Sequence, residues 1–294
     1  MSNEIAIINA ANAVERATAD SDDALIELFL HGRCDNTRSA YQRDIQQFCA
    51  VVTTPLRAVS LGELQRYADT LEGSGLSAST RHRKITAIRS LLKFSHAVGY
   101  TTYDVGRPLR LPKFQDRLSE RILSEADVQR LIGLEENERN RAILIALYGL
   151  GCRATELCRL SVRDCHARGD RTGNITLYGK GGKTNTVFAP ASLWSVIEPH
   201  LLDQGEDAPV FRNRRGNRLR RETVTRIVAA AAKRAGISKS VSAHWMRHAH
   251  ASHAIDRGSP ISLVTAQLSH SSCAVTSRYV HARPGDSSSR YLAI

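Results

Sequence analysis

Apolar positions recur every three or four residues over most of this chain, a spacing that predicts a largely helical protein. The period sets in at Asp22, where Ala24, Leu25, Leu28 and Phe29 form one stripe. Tyr41, Ile45 and Phe48 form a second within 37–52, and 61–72 reads as a third, short helix closed by Gly73-Ser74-Gly75. A fourth helix, 79–98, opens on a Ser/Thr cluster suited to capping free N–H groups. Its apolar side carries Ile85, Ile88, Leu91, Leu92 and Phe94. Residues 1–21 show little pattern and read as a flexible arm. After the fourth helix comes Arg107-Pro108-Leu109-Arg110-Leu111-Pro112-Lys113. Two prolines disfavour helix on their N-terminal sides, so 107–117 reads as an extended linker.

The second half restarts at Ser124-Glu125-Ala126-Asp127, a helix-start signal, with a helix through Ile132. Further helices are expected at 139–148, broken by Gly149-Leu150-Gly151, and at 153–160. Segments 174–179 and 184–189 read as strands around the turn Lys180-Gly181-Gly182-Lys183. Helices at 192–202, 222–235, 243–257 and 261–268 follow, with Gly236 and Gly258 as stops. The expected fold class is therefore mainly α (α+β). A helical domain over 22–106 precedes a mostly helical domain over 118–294 that holds one small antiparallel sheet and ends in a short tail.

Charge changes the picture more than composition does. An apolar share of 42% suffices for folded cores, and the formal net charge is +12, from 41 Lys+Arg against 29 Asp+Glu. Such an excess favours a polyanion, because each neutralised phosphate releases counterions. Arg81, Arg83, Lys84, Arg89 and Lys93 lie on the polar side of the fourth helix. A solvated face would look the same, but on so basic a chain DNA contact is the better reading. Six arginines fall within ten residues at Arg212, Arg214, Arg215, Arg218, Arg220 and Arg221, a density expected of phosphate contacts, which position without specifying sequence. A basic linker between two basic halves suggests a clamp around a duplex. The six scattered cysteines form no Cys-x-x-Cys pair and fit reduced thiols. The N-terminus lacks the pattern of a secretion signal and no run reaches membrane-spanning length, so the expected location is the cytoplasm, on the nucleoid, with no membrane partner.

For chemistry, His244-Trp245-Met246-Arg247-His248 sets two histidines four apart, but a zinc protease needs Glu where Trp245 stands. His248, His250 and His253 crowd the same helix without a Cys or carboxylate to complete a tetrahedral set, so no metal is expected. Gly179-Lys180-Gly181-Gly182-Lys183-Thr184 lacks phosphate-loop spacing and fits a hairpin better. What remains is an ordered set, Arg153, Lys180, His244, Arg247, His270 and Tyr279, in which His244 and Arg247 share a helix face. Singly each has a bland reading: Arg153 and Glu156 as a surface ion pair, Lys180 as a turn residue, Tyr279 no better than Tyr148, Tyr178 or Tyr291.

Jointly, the motifs Gly151-Cys152-Arg153-Ala154-Thr155-Glu156-Leu157, Gly179 to Lys183, His244 to His248, Leu268-Ser269-His270 and Thr276-Ser277-Arg278-Tyr279 resemble the tyrosine recombinase (phage integrase) family. The resemblance runs over about 22–281, departing at Cys152, where the family often has Leu, and at Ser269, where it usually has Gly. It implies a core-binding (SAM-like) DNA-binding domain followed by a catalytic domain. The implied activity is site-specific DNA cleavage and rejoining through a covalent 3′-phosphotyrosine at Tyr279, with neither ATP nor a metal or other cofactor. In that scheme Arg153 and Arg247 meet the charge on the phosphate. Lys180 protonates the leaving 5′ oxygen, His244 assists proton transfer, His270 hydrogen-bonds the phosphate, and Glu156 orients Arg153. The implied partner is double-stranded DNA with paired recombination sites, held by a homo-tetramer or with a related recombinase, and the implied tasks include mobile-element integration, excision and resolution. The C-terminal tail is expected to dock on a neighbouring subunit. Two other readings stay open: an inactive DNA-binding relative, and a type IB topoisomerase-like relaxing enzyme.

Overall fold

The computed structural model describes residues 19–112, 118–179, 182–270 and 272–280. The chain divides into two compact units, Met1–Gln115 and Asp116–Ile294.

Among its described residues the first unit holds four helices: α1 (Asp22–Leu30), α2 (Asp35–Val51), α3 (Leu61–Gly73) and α4 (Ala78–Ala97). Each starts where a short side chain or its backbone can meet the free N–H groups. Ser21, Ser60 and Ser77 accept from the first turns of α1, α3 and α4, and Ser60 with Glu63 completes a reciprocal capping box. Helix α4 packs against the other three, and Ile85, Ile88, Leu91 and Leu92 close on Leu25, Phe29, Ile45, Phe48 and Leu64. Leu28, expected in the apolar stripe, is 46% exposed, while Leu30 is buried. The stripe of α1 thus turns one residue further round the helix than the sequence spacing implies.

Three more expectations change here. Lys84, placed on the DNA-facing side of α4, is buried, and its ammonium is spent on Asp44 and Gln47 of α2. The first half of the expected linker is folded back: Leu109 is buried in this core, and Pro112 O meets His82 Nδ1 at 3.0 Å. At the other end Ala19 is buried and its carbonyl accepts from Arg57, so the last residues of the expected arm are packed. Residues 1–18 and 113–117 lie outside the described residues.

The second unit begins with the 3-10 turn Ser119–Arg121. There follow α5 (Glu125–Gly133), α6 (Glu138–Leu150), α7 (Ala154–Arg159), β1 (Cys165–Ala167), β2 (Gly173–Tyr178), β3 (Thr184–Ala189) and α8 (Ala191–Ile197). The chain then forms α9 (Arg221–Arg234), α10 (Ala243–Asp256), α11 (Ile261–Gln267), α12 (Cys273–Thr276) and the 3-10 turn Ser277–Tyr279. The sheet has order β1-β2-β3, antiparallel throughout; β1 is too short at three residues to show alternation and was not expected. The sheet rests on α8 at Gly173, where a Cβ would fall 1.9 Å from the Trp194 ring. Pro199 lacks an N–H and breaks the helix expected over 192–202, so α8 ends at Ile197 and one 3-10 turn, Glu198–His200, follows. Helices α6 and α10 pack against each other and carry the core with Ile143, Leu144, Leu147 and Met246, joined by Val228 of α9. Among the described residues, no helix is long and apolar enough to cross a membrane.

Candidate active site

The end of α6 and the start of α7 place the first arginine. Helix α6 ends at Gly151, whose left-handed backbone (φ 62°) turns the chain sharply. A Cβ there would stand 2.6 Å from the His250 ring and 2.8 Å from Leu268, so glycine is required by conformation and by space. Two residues on, Arg153 is the N-cap of α7, where a carboxylate three residues later can reach back. Glu156 does so. Its Oε2 accepts from the Arg153 backbone N–H at 2.8 Å, and its Oε1 accepts from Arg153 Nη1 at 2.6 Å. Glu156 is buried, while the Arg153 side chain stays 38% exposed.

Arg247, on α10, is 2% exposed. Its fork donates to two backbone carbonyls, Gly151 O at 2.8 Å and Leu268 O, and lies 3.9 Å from Glu156 Oε2. Burial, then the neighbouring Arg153, push its pKa down to about 10, which still leaves it charged at neutral pH. Two guanidiniums thus share one carboxylate, leaving a local excess of positive charge. Gly179, the last residue before the hairpin turn, lies against the same carboxylate: a Cβ there would be 3.6 Å from Glu156 Oε1. Lys180 itself lies outside the described residues.

Around this pair the histidines are held neutral. His248, one turn after His244, is buried and its Nδ1 meets the Tyr279 hydroxyl at 2.7 Å. Its pKa is lowered to about 3 by burial, then by His244, Arg121, Arg247 and Arg278. A neutral ring carries a lone pair at one nitrogen, and in the tautomer with its hydrogen on Nε2 the Nδ1 accepts from the phenol. His270 contacts Thr276 Oγ1 through Nδ1 at 2.9 Å, and its ring stacks on that of Tyr279 at 6.3 Å and 11°. Burial, then Arg247, Arg153 and His244, lower its pKa to about 4. His244 keeps an exposed edge; desolvation first, then Arg247, Arg153 and Arg121, lower its pKa, and its ring meets that of His248 edge-on at 4.3 Å. Tyr279, in the turn after α12, is 5% exposed. Ser269, where the resemblance expects glycine, does adopt a left-handed backbone (φ 49°), at a strain cost of about 1 kcal/mol.

The structure therefore joins Arg153, Glu156 and Arg247 through one carboxylate, and His244, His248, Tyr279 and His270 through successive ring contacts in that order. Two further residues at this site stand in the sequence as motif positions with no role assigned. His248 is weighed there as a metal ligand and as the end of its motif, although its place one turn after His244 puts it on the same face. Thr276, fully buried and hydrogen-bonded to Thr265 at 2.8 Å, carries no signal of its own.

The basic patches divide. Arg218 is occupied in capping the end of α7, donating to Cys158 O at 3.1 Å, to Leu160 O at 3.4 Å, to Arg159 O and to Ser161 Oγ at 2.9 Å. Arg212 is bonded to Gln204. Arg214, Arg215, Arg220 and Arg221 are exposed. On α4, Lys93 is exposed, Arg89 donates to Arg107 O, Arg81 pairs with Glu72 at 3.5 Å, and Arg83 pairs with Asp44.

Known proteins share this arrangement of sequence and fold. The profile of the phage integrase family matches residues 121–285, and that of the phage integrase N-terminal SAM-like domain matches residues 26–98. Tyrosine recombinase XerC of Pelobacter propionicus is 32% identical over 263 residues, which cover 84% of this chain and 84% of that protein. A lambda integrase (75–356) dimer bound to a COC′ core site has the same fold, with a TM-score of 0.72 at 18% identity over 90% of this chain and 95% of its own. A lambda integrase tetramer bound to a Holliday junction gives 0.69 at 17% identity, over 92% and 82%.

Proposed function

The chain belongs to the phage integrase family of tyrosine recombinases, enzymes of site-specific DNA recombination that cleave and rejoin strands. From that premise we propose that Tyr279 is its nucleophile and that strand exchange passes through a covalent 3′-phosphotyrosine, without ATP or metal. The observation that carries the reading is a buried tyrosine within electrostatic reach of Arg247, which with Arg153 forms a fixed, undercompensated pair of guanidiniums.

The chemistry follows from charge. As the phosphodiester becomes five-coordinate, negative charge grows on its non-bridging oxygens, and Arg153 and Arg247 meet it as permanent cations with paired donors. Glu156 fixes Arg153 from both its backbone and its side chain. His270, neutral and stacked on Tyr279, supplies a further hydrogen bond to the phosphate, His244 assists proton movement, and Lys180 serves as acid for the leaving 5′ oxygen. A phenol with a free pKa of about 10 needs placement and a proton acceptor before it attacks. The ester it forms conserves the bond energy, so a second DNA end can be rejoined with no energy source. The first unit (about 22–106) serves as the core-binding domain and the second (about 118–294) as the catalytic one, both on double-stranded DNA. Four subunits on two sites exchange strands in turn, and the sites they recognise decide whether DNA is integrated, excised or resolved.

Covalent trapping tests the reading. Wild type and Tyr279→Phe are incubated with nicked fragments of the DNA flanking the gene, without metal or ATP, and scored for a denaturant-resistant, protease-sensitive adduct. The expected result is an adduct with wild type alone. An adduct in the Phe variant, or none in either despite tight binding, overturns it.

A further inference from the structure

The scheme above assigns proton movement to His244, yet another histidine touches the reacting oxygen. His248 is buried, its Nδ1 lies 2.7 Å from the Tyr279 hydroxyl, and the two rings tilt together at 5.6 Å. We propose that His248 is the catalytic proton acceptor for the nucleophile, holding the Tyr279 hydroxyl and taking its proton as the phenolic oxygen bonds to phosphorus. The proposal rests on Tyr279 being the nucleophile.

The step balances. The tyrosyl O–P bond forms as the O–H bond breaks, and the proton passes to Nδ1. The bond from phosphorus to the 5′ oxygen breaks, and that oxygen takes a proton from the acid of the site. In rejoining, the imidazolium returns its proton to the departing tyrosyl oxygen, so the enzyme ends as it began.

Surroundings explain why this ring waits for DNA. The charged and titratable groups that face it are His244 and Arg247 on its own helix, Arg121 from the turn Ser119–Arg121, and Arg278 beside Tyr279. All are cationic or can become so, and with burial they keep the ring neutral in the free protein. A neutral ring is the form that accepts a phenolic hydrogen. An arriving phosphate brings negative charge against Arg247 and cancels part of the field that depresses the ring. Its affinity for a proton then rises when the substrate is in place and falls when the substrate leaves. Deprotonation of Tyr279 is in this way coupled to occupancy of the phosphate site.

The test compares His248→Asn and His248→Ala with wild type on a nicked duplex. Adduct formation is timed in a single turnover per DNA-bound molecule, with each variant's fold checked by its thermal melt. Asparagine keeps an acceptor near the Nδ1 position but takes up no proton. The expected result is unchanged DNA affinity with adduct formation slowed about 10²–10³-fold in both variants. The residual rate should climb with pH as hydroxide replaces the missing acceptor, and rejoining from a preformed adduct should slow in parallel. Wild-type rates in either variant overturn the proposal, as does a loss confined to affinity or melting temperature, or an Asn variant with an unaltered pH profile. Tyr279→Phe, run alongside, separates the two readings: an adduct there sinks the nucleophile assignment, whereas an inert Phe variant beside normal His248 variants sinks only the role of His248.

Discussion

In the first unit Asp44 is fully buried, and its oxygens are taken up by Arg83 and Lys84 from the neighbouring helix. In the second unit Glu156 is buried nearly as deeply between Arg153 and Arg247. Both clusters set one carboxylate against two cations, but the partners are spent differently. Around Asp44 the cations point at the carboxylate, and the remaining reach of Lys84 goes to Gln47. Around Glu156 one oxygen is given partly to a backbone N–H, and Arg247 stands off at 3.9 Å with its fork on two carbonyls. The neighbours of the second cluster, His248 and His270, are held neutral by burial first and, in smaller part, by nearby positive charge that includes Arg247. The lesson is that equal counts of charge do not make equal sites. Both clusters carry one positive charge in excess. The first leaves it on the 42%-exposed Arg83 side chain, where water screens it, and ties two helices together. The second holds it beside buried Arg247, as a reserve for the phosphate of the proposed scheme.

The largest effect expected on this contrast comes from Arg247→Lys. An ammonium keeps the charge but cannot donate as a planar fork to both Gly151 O and Leu268 O. Single-turnover adduct formation should fall on the order of 10³-fold; a drop under tenfold would mean that charge at this position suffices and the planar fork is not needed. Next comes Asp44→Ala, which leaves buried Lys84 without its carboxylate. It should cost about 3–5 kcal/mol in denaturant unfolding of the first unit, with no change in cleavage rate once DNA is bound. A loss of cleavage at full DNA occupancy would show that the first cluster also serves the chemistry.

How far was this contrast legible beforehand? The helices were, because α4 announces itself by Ile85, Ile88, Leu91 and Leu92 and α10 by its bounding Gly258. Arg153, Arg247 and Tyr279 stood out through motif order, since no single spacing selects them. What the sequence hid was partnership. Nothing along the chain says that Lys84 turns inward to Asp44, forty residues away, while Lys93 on the same helix stays in water. Arg218 looked like its five neighbours until its fork was seen to close the end of α7. His248 was hidden for a related reason: its partner lies thirty-one residues on, and a histidine beside others first suggests a metal.

Acid sharpens the comparison further. His248 titrates at about 3 in the folded chain and at about 6.5 when unfolded, so below pH 6.5 the unfolded state takes up a proton that the folded state refuses. Stability is therefore lost as pH falls from about 6.5 towards 3, by up to about 1.4 kcal/mol per pH unit for this one ring. His270 acts in the same direction down to about 4. Denaturant melts between pH 7.5 and 5 should show the slope, and His248→Asn should flatten it; an unflattened slope would mean that the ring is not held neutral. The smallest effect separates Lys84 from Lys93. Lys84→Met should leave the salt dependence of DNA binding unaltered, whereas Lys93→Ala should reduce its slope by about one. Equal slopes in the two variants would break the division of α4 into an inner and an outer cationic row.

Arg247 also has a bearing on ancestry. Its fork joins the carbonyl that ends α6 to the one that follows α11, so the side chain is a cross-brace of the fold as well as part of the site. Selection for a working enzyme and selection for a folded one therefore fall on the same residue. A descendant that kept DNA binding but gave up cleavage would be free to drift at Tyr279 or at half-exposed Arg153, and would still be held to arginine at 247. Under the proposed scheme, loss of activity in such a lineage would be read first at the tyrosine, since the two carbonyl bonds of Arg247 serve the fold whether or not DNA is cut.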